Sequence, residues 1–311
     1  MEIIKKSSGK KKYGIGILVY PGLDNSWNYF FGAVQMVHQL RKEKWYEQYV
    51  DFIILTPDIK NLDVLDVINK AFDMHVVYKT SLKLKSDFTF NPKWHGVFNK
   101  LYFWDSNIFH HNRILIMDAD LFIVNPSGYI KALTNISDGP AGSYENGFVN
   151  MNKNLNLKLG TIIPTQYTSY NYEGKSYYNM INAGLLSIEP DHKVFDEMTG
   201  DLKAGWTEIE KKYKPLRGKI GKNIFPEQEY LTGYFSGKWR SLPGEEFLSI
   251  QPTSNHWCSG QQKYWDEVPK KLESLILGIC REVFLKYPGL KKLNLSKKIM
   301  NQNLSIFMKQ R

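Results

Sequence analysis

Short runs of consecutive apolar residues alternate along this chain with stretches whose apolar positions recur every three or four residues. Tyr13 to Tyr20 (YGIGILVY) is the first run and reads as a buried strand. Pro21-Gly-Leu-Asp-Asn25 is turn chemistry. From Asn28 to Lys42 the spacing predicts a helix. Val50 to Leu55 (VDFIIL) is a second buried strand, ended by Thr56-Pro57-Asp58. Leu62 to Phe72 predicts a second helix, and Val76 to Tyr78 a third strand. Strand, helix, strand, helix, strand is the order of a parallel sheet with crossover helices.

Phe98 to Phe109 is apolar and aromatic at helical spacing, so Phe98, Tyr102, Phe103 and Trp104, with Trp94 before them, are expected mainly in the core. Ile114 to Met117 (ILIM) is a fourth buried strand, followed at once by Asp118-Ala119-Asp120. Leu121 to Val124 is then expected to be extended. Residues 127–180 are rich in Asn, Tyr, Gly and Ser and read as long loops with short strands. Asn182 to Pro190 is another buried strand, and Asp191 to Met198 begins a helix. Residues 211–222 read as a basic loop, and Gln228 to Phe235 as a short helix after Pro226. Leu272 to Leu285 is an amphipathic helix stopped by Pro288-Gly289. With no repeat and no Pro- or Ser-rich linker, the simplest layout is one α/β domain over 13–265. A tail at 1–12 precedes it, and a helical extension at 266–311 is expected to pack on it.

Composition narrows the class. The 311 residues are 42% hydrophobic and 14% aromatic, enough for a large core and far from a disordered chain. Two cysteines, Cys258 and Cys280, exclude a disulfide framework and an all-cysteine zinc site. No apolar run reaches the roughly 18 residues of a membrane span, and the first residues carry no secretory pattern. A cytosolic, reducing compartment is the expectation. The net charge of +10 sits at the ends: +4 in residues 1–12 and +6 in 266–311, with the middle neutral. A nucleic-acid enzyme more often spreads its basic residues over the body, so no nucleic-acid partner is expected. Basic ends serve solubility, or dock the chain on an anionic membrane or polymer. Oligomeric state is left open, a homodimer included.

The chemistry concentrates at Asp118-Ala119-Asp120. Residues i and i+2 of a strand point to the same side, and the carboxyl ends of strands are where open α/β sheets place ligands. Two carboxylates there can share a hard divalent cation, Mg or Mn, or simply cap a turn. Further on, Asn255-His-Trp-Cys-Ser-Gly-Gln-Gln-Lys263 brings His256, Gly260 and Lys263 into one segment. A neutral imidazole can complete a carboxylate metal shell. A glycine lets the backbone approach a phosphate, and a lysine supplies a point charge for its oxygens.

Taken together and in order, these segments resemble the glycosyltransferases of family 8, the glycogenin-like group with a GT-A fold. Asn28-Tyr-Phe-Phe-Gly-Ala-Val34 is similar to the family's early Tyr-x-x-Gly-Ala segment. Lys100-Leu-Tyr-Phe-Trp104 with Arg113 to Asp120 resembles its lysine, aromatic helix and D-x-D strand. Asn182-Ala-Gly184 resembles its Asn-[Ala/Ser]-Gly strand, and His256 to Trp265 its closing motif. The resemblance covers roughly residues 15–265. It implies a mixed, mainly parallel sheet flanked by helices, a UDP-sugar donor, a manganese ion with magnesium as substitute, and transfer of a hexose, glucose first among them, with retention. Asp118, Asp120 and His256 would hold the metal. Tyr29, Lys100, the Asp118-Ala119-Asp120 segment, Gly260 and Lys263 would bind the donor. Asn182 would contact the transferred sugar or the acceptor, Gln228 would lie at the reacting face, and Glu227 would meet sugar hydroxyls.

The chain departs from the family pattern in four places. Glu227 stands for the usual Asp, His256 and Gly260 are four apart rather than three, and Lys263-Tyr-Trp265 lacks a proline. Tyr20-Pro-Gly-Leu-Asp24 replaces the usual polar loop, so either Asp24 or Asn25 contacts the base or Pro21-Gly22 is a plain turn. The acceptor would be a hydroxyl of a sugar, glycan or protein. Residues 167–178 (YTSYNYEGKSYY) are either sheet surface or a sugar-stacking acceptor site. The alternative to an enzyme is an inactive relative that binds sugar nucleotide as a scaffold. A nucleotidyl or phosphoryl transferase would need a Gly-rich phosphate loop after the first strand, and no G-x-x-x-x-G-K-[ST] exists here.

Overall fold

The computed structural model describes residues 11–20, 28–57, 73–88, 92–119, 121, 123, 126–144, 157–163, 181–213, 226–242, 282 and 285. Four strands run parallel: β1 (Tyr13–Leu18), β2 (Val50–Thr56), β3 (His75–Tyr78) and β4 (Arg113–Asp118). They continue into β6 (Ile181–Ile188), β5 (Ala141–Tyr144) and the two-residue β7 (Arg240–Ser241), in the order β3-β2-β1-β4-β6-β5-β7. Among the described residues β6 alone runs against the others, pairing antiparallel with β4 and β5. The result is a mixed, mainly parallel sheet flanked by helices, as expected.

Strand content follows from burial. Every residue of β1 and β2 is buried, which is why both read as continuous apolar runs rather than alternating ones. Alternate side chains feed two cores. Ile15, Ile17, Phe52, Ile54, Leu115 and Met117 enter one, and Ile53, Leu55, Ile114 and Ile116 the other. The first core is closed by α1 (Asn28–Leu40), which presents Phe30, Ala33, Val34, Val37 and Leu40 along one face. It is completed by α2 (Lys44–Tyr49) and α3 (Pro126–Thr134). The second is closed by a 3₁₀ helix (Pro92–Trp104), α4 (His192–Ala204), α5 (Trp206–Tyr213) and α6 (Pro226–Tyr234). Phe98, Phe103 and Trp104 are buried there, as their spacing predicts. Gly16 lets the 3₁₀ helix press on the sheet, since a Cβ at that position would lie 2.4 Å from the Phe103 ring.

Three differences from the sequence reading have local causes. The stretch read as loops after residue 127 opens with α3. Its proline sits in the first helical turn, where no N–H is needed, and Gly128 inside the helix hid the pattern. The start of the stretch read as a basic loop is the last turn of α5, whose N-terminus is capped from afar. The Asp87 carboxylate accepts from Trp206 N (3.1 Å) and Thr207 N (3.1 Å). The aromatic segment expected at 98–109 ends at Trp104 and begins at Pro92. Asp191 caps α4, accepting from Lys193 N at 2.8 Å. The helices expected at 62–72 and 272–285 lie outside the described residues, except that Glu282 and Leu285 are helical. Glu282 reaches Lys42 beyond the end of α1 at 2.9 Å and His38 on α1 at 3.3 Å.

Candidate active site

The order of the parallel strands reverses between β1 and β4, and the carboxyl ends of these two strands bound the candidate site. Leu18 and Asp118 are register partners, so Asp118 closes β4 where β1 ends. Its carboxylate is partly exposed (29%). Lys100, from the 3₁₀ helix, reaches the same point from beneath the sheet. The residue is 4% exposed, and its ammonium lies 2.7 Å from Asp118 Oδ1 and 3.5 Å from Glu227 Oε1. It also donates to Ala183 O at 3.1 Å. Burial alone would depress this ammonium. The two carboxylates outweigh burial and hold it above the ordinary lysine value, so it is charged at any physiological pH.

Glu227 and Gln228 come from the first turn of α6 and are both buried. Glu227 shares Lys100 with Asp118 and is the more distant partner. Burial therefore raises its carboxyl above the usual range, with the nearby Asp118 charge adding to the effect and Lys100 only partly offsetting it. Among the described residues its second oxygen, Oε2, is buried with no hydrogen-bond partner. Such an orphaned acceptor is costly, about 1–3 kcal/mol, and a substrate hydroxyl could satisfy it. Gln228 turns its oxygen inward, accepting from Ala183 N at 2.9 Å.

The Asn182-Ala183-Gly184 segment of β6 passes over Asp118. Asn182 folds back so that its Oδ1 accepts from Gly184 N at 2.7 Å. A Cβ on Gly184 would stand 2.8 Å from that oxygen and 3.0 Å from Asp118 Oδ2, so any larger residue would have to push one of these side chains aside. On the β1 side, Tyr29 lies in the first turn of α1 with its ring 6.3 Å from that of Tyr20. Tyr20 interacts electrostatically with Lys100, and its ring lies beside Gly96. Tyr20, which the sequence marks only as the end of the first strand and the start of the loop after it, thus joins the residues around Lys100.

The fold thus gathers Lys100, Asp118, Asn182, Glu227 and Gln228, which lie far apart in the chain, and places Tyr29 at the same end of the sheet. Ala119 follows Asp118 and is buried. Asp120, His256, Gly260, Lys263, Asp24, Asn25 and residues 167–178 lie outside the described residues. Among the described residues no three His, Cys, Asp or Glu side chains form a metal-binding group. Of the three implied ligands, Asp118 alone is described. It fits a hard cation through donor type, and Lys100 takes its Oδ1, leaving Oδ2 as the oxygen not committed to that pair. No described helix is long and apolar enough to cross a membrane.

No family profile matches the chain. Over 216 residues, 69% of its length, it is 24% identical to the "Uncharacterized protein R707" of Acanthamoeba polyphaga mimivirus. The match takes in 65% of that protein, so the chain spans less than two thirds of this relative's length. Among solved structures, the galactosyltransferase LgtC in complex with donor and acceptor sugar analogues is 11% identical. That match covers 84% of this chain and 99% of that one, at a TM-score of 0.47. Mouse xyloside xylosyltransferase 1 is 13% identical, over 75% of this chain and 85% of that one, at a TM-score of 0.44.

Proposed function

We propose that this protein is a GT-A-type retaining glycosyltransferase of the glycogenin-like kind, which moves a hexose from a UDP-sugar to an acceptor hydroxyl. One observation carries the reading. At the carboxyl end of β4 a buried lysine sits between two carboxylates, and among the described residues the inner carboxylate has one oxygen without a hydrogen-bond partner. A fixed cation beside a partly exposed aspartate suits a polyphosphate, whose charge grows as the sugar leaves. A buried acceptor without a donor suits a molecule rich in hydroxyls. Glucose is the first choice among hexoses. Glucose, galactose and N-acetylglucosamine differ by contacts worth about 1–3 kcal/mol each.

In this reading Asp118, Asp120 and His256 would hold a manganese or magnesium ion, which when bound supplies positive charge against the diphosphate. Lys100 holds the donor near its phosphates, Gly260 and Lys263 close on the diphosphate, and Tyr29 borders the nucleoside. Glu227 and Asn182 orient the sugar. The bond from the anomeric carbon to the phosphate oxygen breaks as the acceptor oxygen bonds to that carbon from the same face. The acceptor proton passes to the departing phosphate oxygen. A double displacement would need a carboxylate nucleophile, and Glu227 is the candidate for it; failure to trap a glycosyl adduct on Glu227 is the result expected of the front-side route. The inactive scaffold is the other outcome of the same test.

The test is release of UDP from a panel of UDP-sugars with and without manganese, with Asp120→Ala as control. Metal-dependent release from one sugar, lost in the variant, is expected. Tight UDP binding with no turnover for any sugar and any acceptor would favour the scaffold.

A further inference from the structure

We propose that Thr232 is a positioning residue for sugar transfer: its hydroxyl fixes the register between α6 and the end of β6. The proposal rests on the glycosyltransferase reading above. The observation behind it is how the backbone of residues 181–184 is satisfied. β6 pairs with β4 only from Leu185 to Ile188, and the β5 pairing slips between Gly142 and Ser143, jumping from Leu186 to Asn182. Among the described residues, Ala183 and Gly184 therefore have no partner in either neighbouring strand. Side chains take the place of the missing ladder. Gln228 Oε1 accepts from Ala183 N (2.9 Å), Lys100 Nζ donates to Ala183 O (3.1 Å), and Asn182 Oδ1 accepts from Gly184 N (2.7 Å). Three of the proposed site residues are thus bound to this one segment of backbone.

Thr232 sets where α6 lies along it. The residue is 5% exposed and sits one turn after Gln228. Its hydroxyl donates to Gln228 O at 2.6 Å and accepts from Ile181 N at 2.9 Å. A hydroxyl has a single proton. With that proton spent on the helix carbonyl, only an oxygen lone pair faces Ile181, and a backbone N–H is the partner it requires. The contact works in one register. If α6 slides along β6, Ile181 N loses its acceptor, and Glu227 and Gln228 move together relative to Lys100 and Asp118. Displacements of about an ångström at a reacting centre are enough to slow chemistry strongly.

The experiment compares Thr232→Val, which keeps the shape and removes the hydroxyl, with Thr232→Ser, which keeps the hydroxyl. Two readouts are taken on the full chain: amide hydrogen exchange at Ile181 and Ala183, and steady-state UDP release. In Thr232→Val, exchange at both amides should rise about tenfold or more while helix α4 stays protected. Its kcat should fall about tenfold with KM for the donor within about twofold. Thr232→Ser should restore both. Unchanged exchange at Ile181 in Thr232→Val would overturn the proposal. So would a serine variant as slow as valine, or a valine variant whose loss lies in KM. If the unaltered protein turns over no UDP-sugar while the valine variant still loosens Ile181, the register contact stands and the sugar-transfer reading is what fails.

Discussion

Glu227 is the residue on which the chemistry and the stability of the site meet. Its carboxyl titrates higher in the folded chain than the ordinary value of 4.5, because burial outweighs its share of Lys100. A raised acid binds its proton more readily when folded. The stability it contributes is therefore complete below about pH 4.5 and is lost as pH rises through the folded value. Glu227→Gln cannot titrate. Urea melts at stepped pH should show wild-type stability falling over that rise more steeply than the variant's; parallel profiles would contradict the assignment. Gly184→Ala drives a methyl against Asn182 Oδ1 and Asp118 Oδ2. It should cost about 1–3 kcal/mol in a denaturant melt, the usual cost of overpacking a tight site. A neutral substitution would mean that the Asn182 carbonyl and Asp118 carboxylate ends yield to the methyl without cost.

The elements show what pattern can and cannot report. β1, β2, β4 and β6 were legible because strands buried on both faces leave unbroken apolar runs. α1 and α4 were legible because one face is apolar and, for α4, Asp191 marks the start. α2, α3 and α5 were not. Each is short, and α5 is begun by Asp87, distant in sequence, so no neighbouring cap marks its start. Lys100 and Asp118 could be picked out from a strand end and a resemblance. Thr232 and Tyr20 could not, because a threonine in a helix and a tyrosine after a strand look alike whether or not they face a site. Asp51 lies at the opposite, amino end of the sheet, and its partners were equally hidden. It is the second residue of β2 and accepts from His111 Nε2 (3.1 Å) beside β4, with His75 Nε2 of β3 at 3.5 Å. Burial would raise this carboxyl, but the two imidazoles more than reverse that and hold it well below the usual range. A depressed acid contributes stability above its unfolded value of 3.8, lost as pH falls toward the folded one. Asp51→Asn should cost about 1–3 kcal/mol at pH 7. The difference from wild type should shrink on acidification, read by urea melts at both pH values. A difference that does not change with pH would contradict the pairing.

At the scale of the whole molecule, the two ends of the sheet divide the work. The amino end is tied by Asp51 and its histidines, which hold β2, β3 and the approach to β4 together. The carboxyl end carries Lys100, Asp118 and Glu227, an arrangement that is poor for stability because one lysine serves two carboxylates. Such an arrangement suits a site that receives an anionic, hydroxyl-rich ligand. On the proposed reading, this end of the sheet binds a sugar nucleotide through Asp118. Calorimetric titration of UDP in the presence of manganese, on wild type and on Asp118→Asn, tests it most directly. The side chain is partly exposed at a strand end and asparagine keeps its shape, so the variant should fold. Binding by the wild type that is weakened at least about tenfold in the variant, measured below the variant's own melting temperature, is the predicted result. Equal binding by both proteins, or no binding by either, would contradict it.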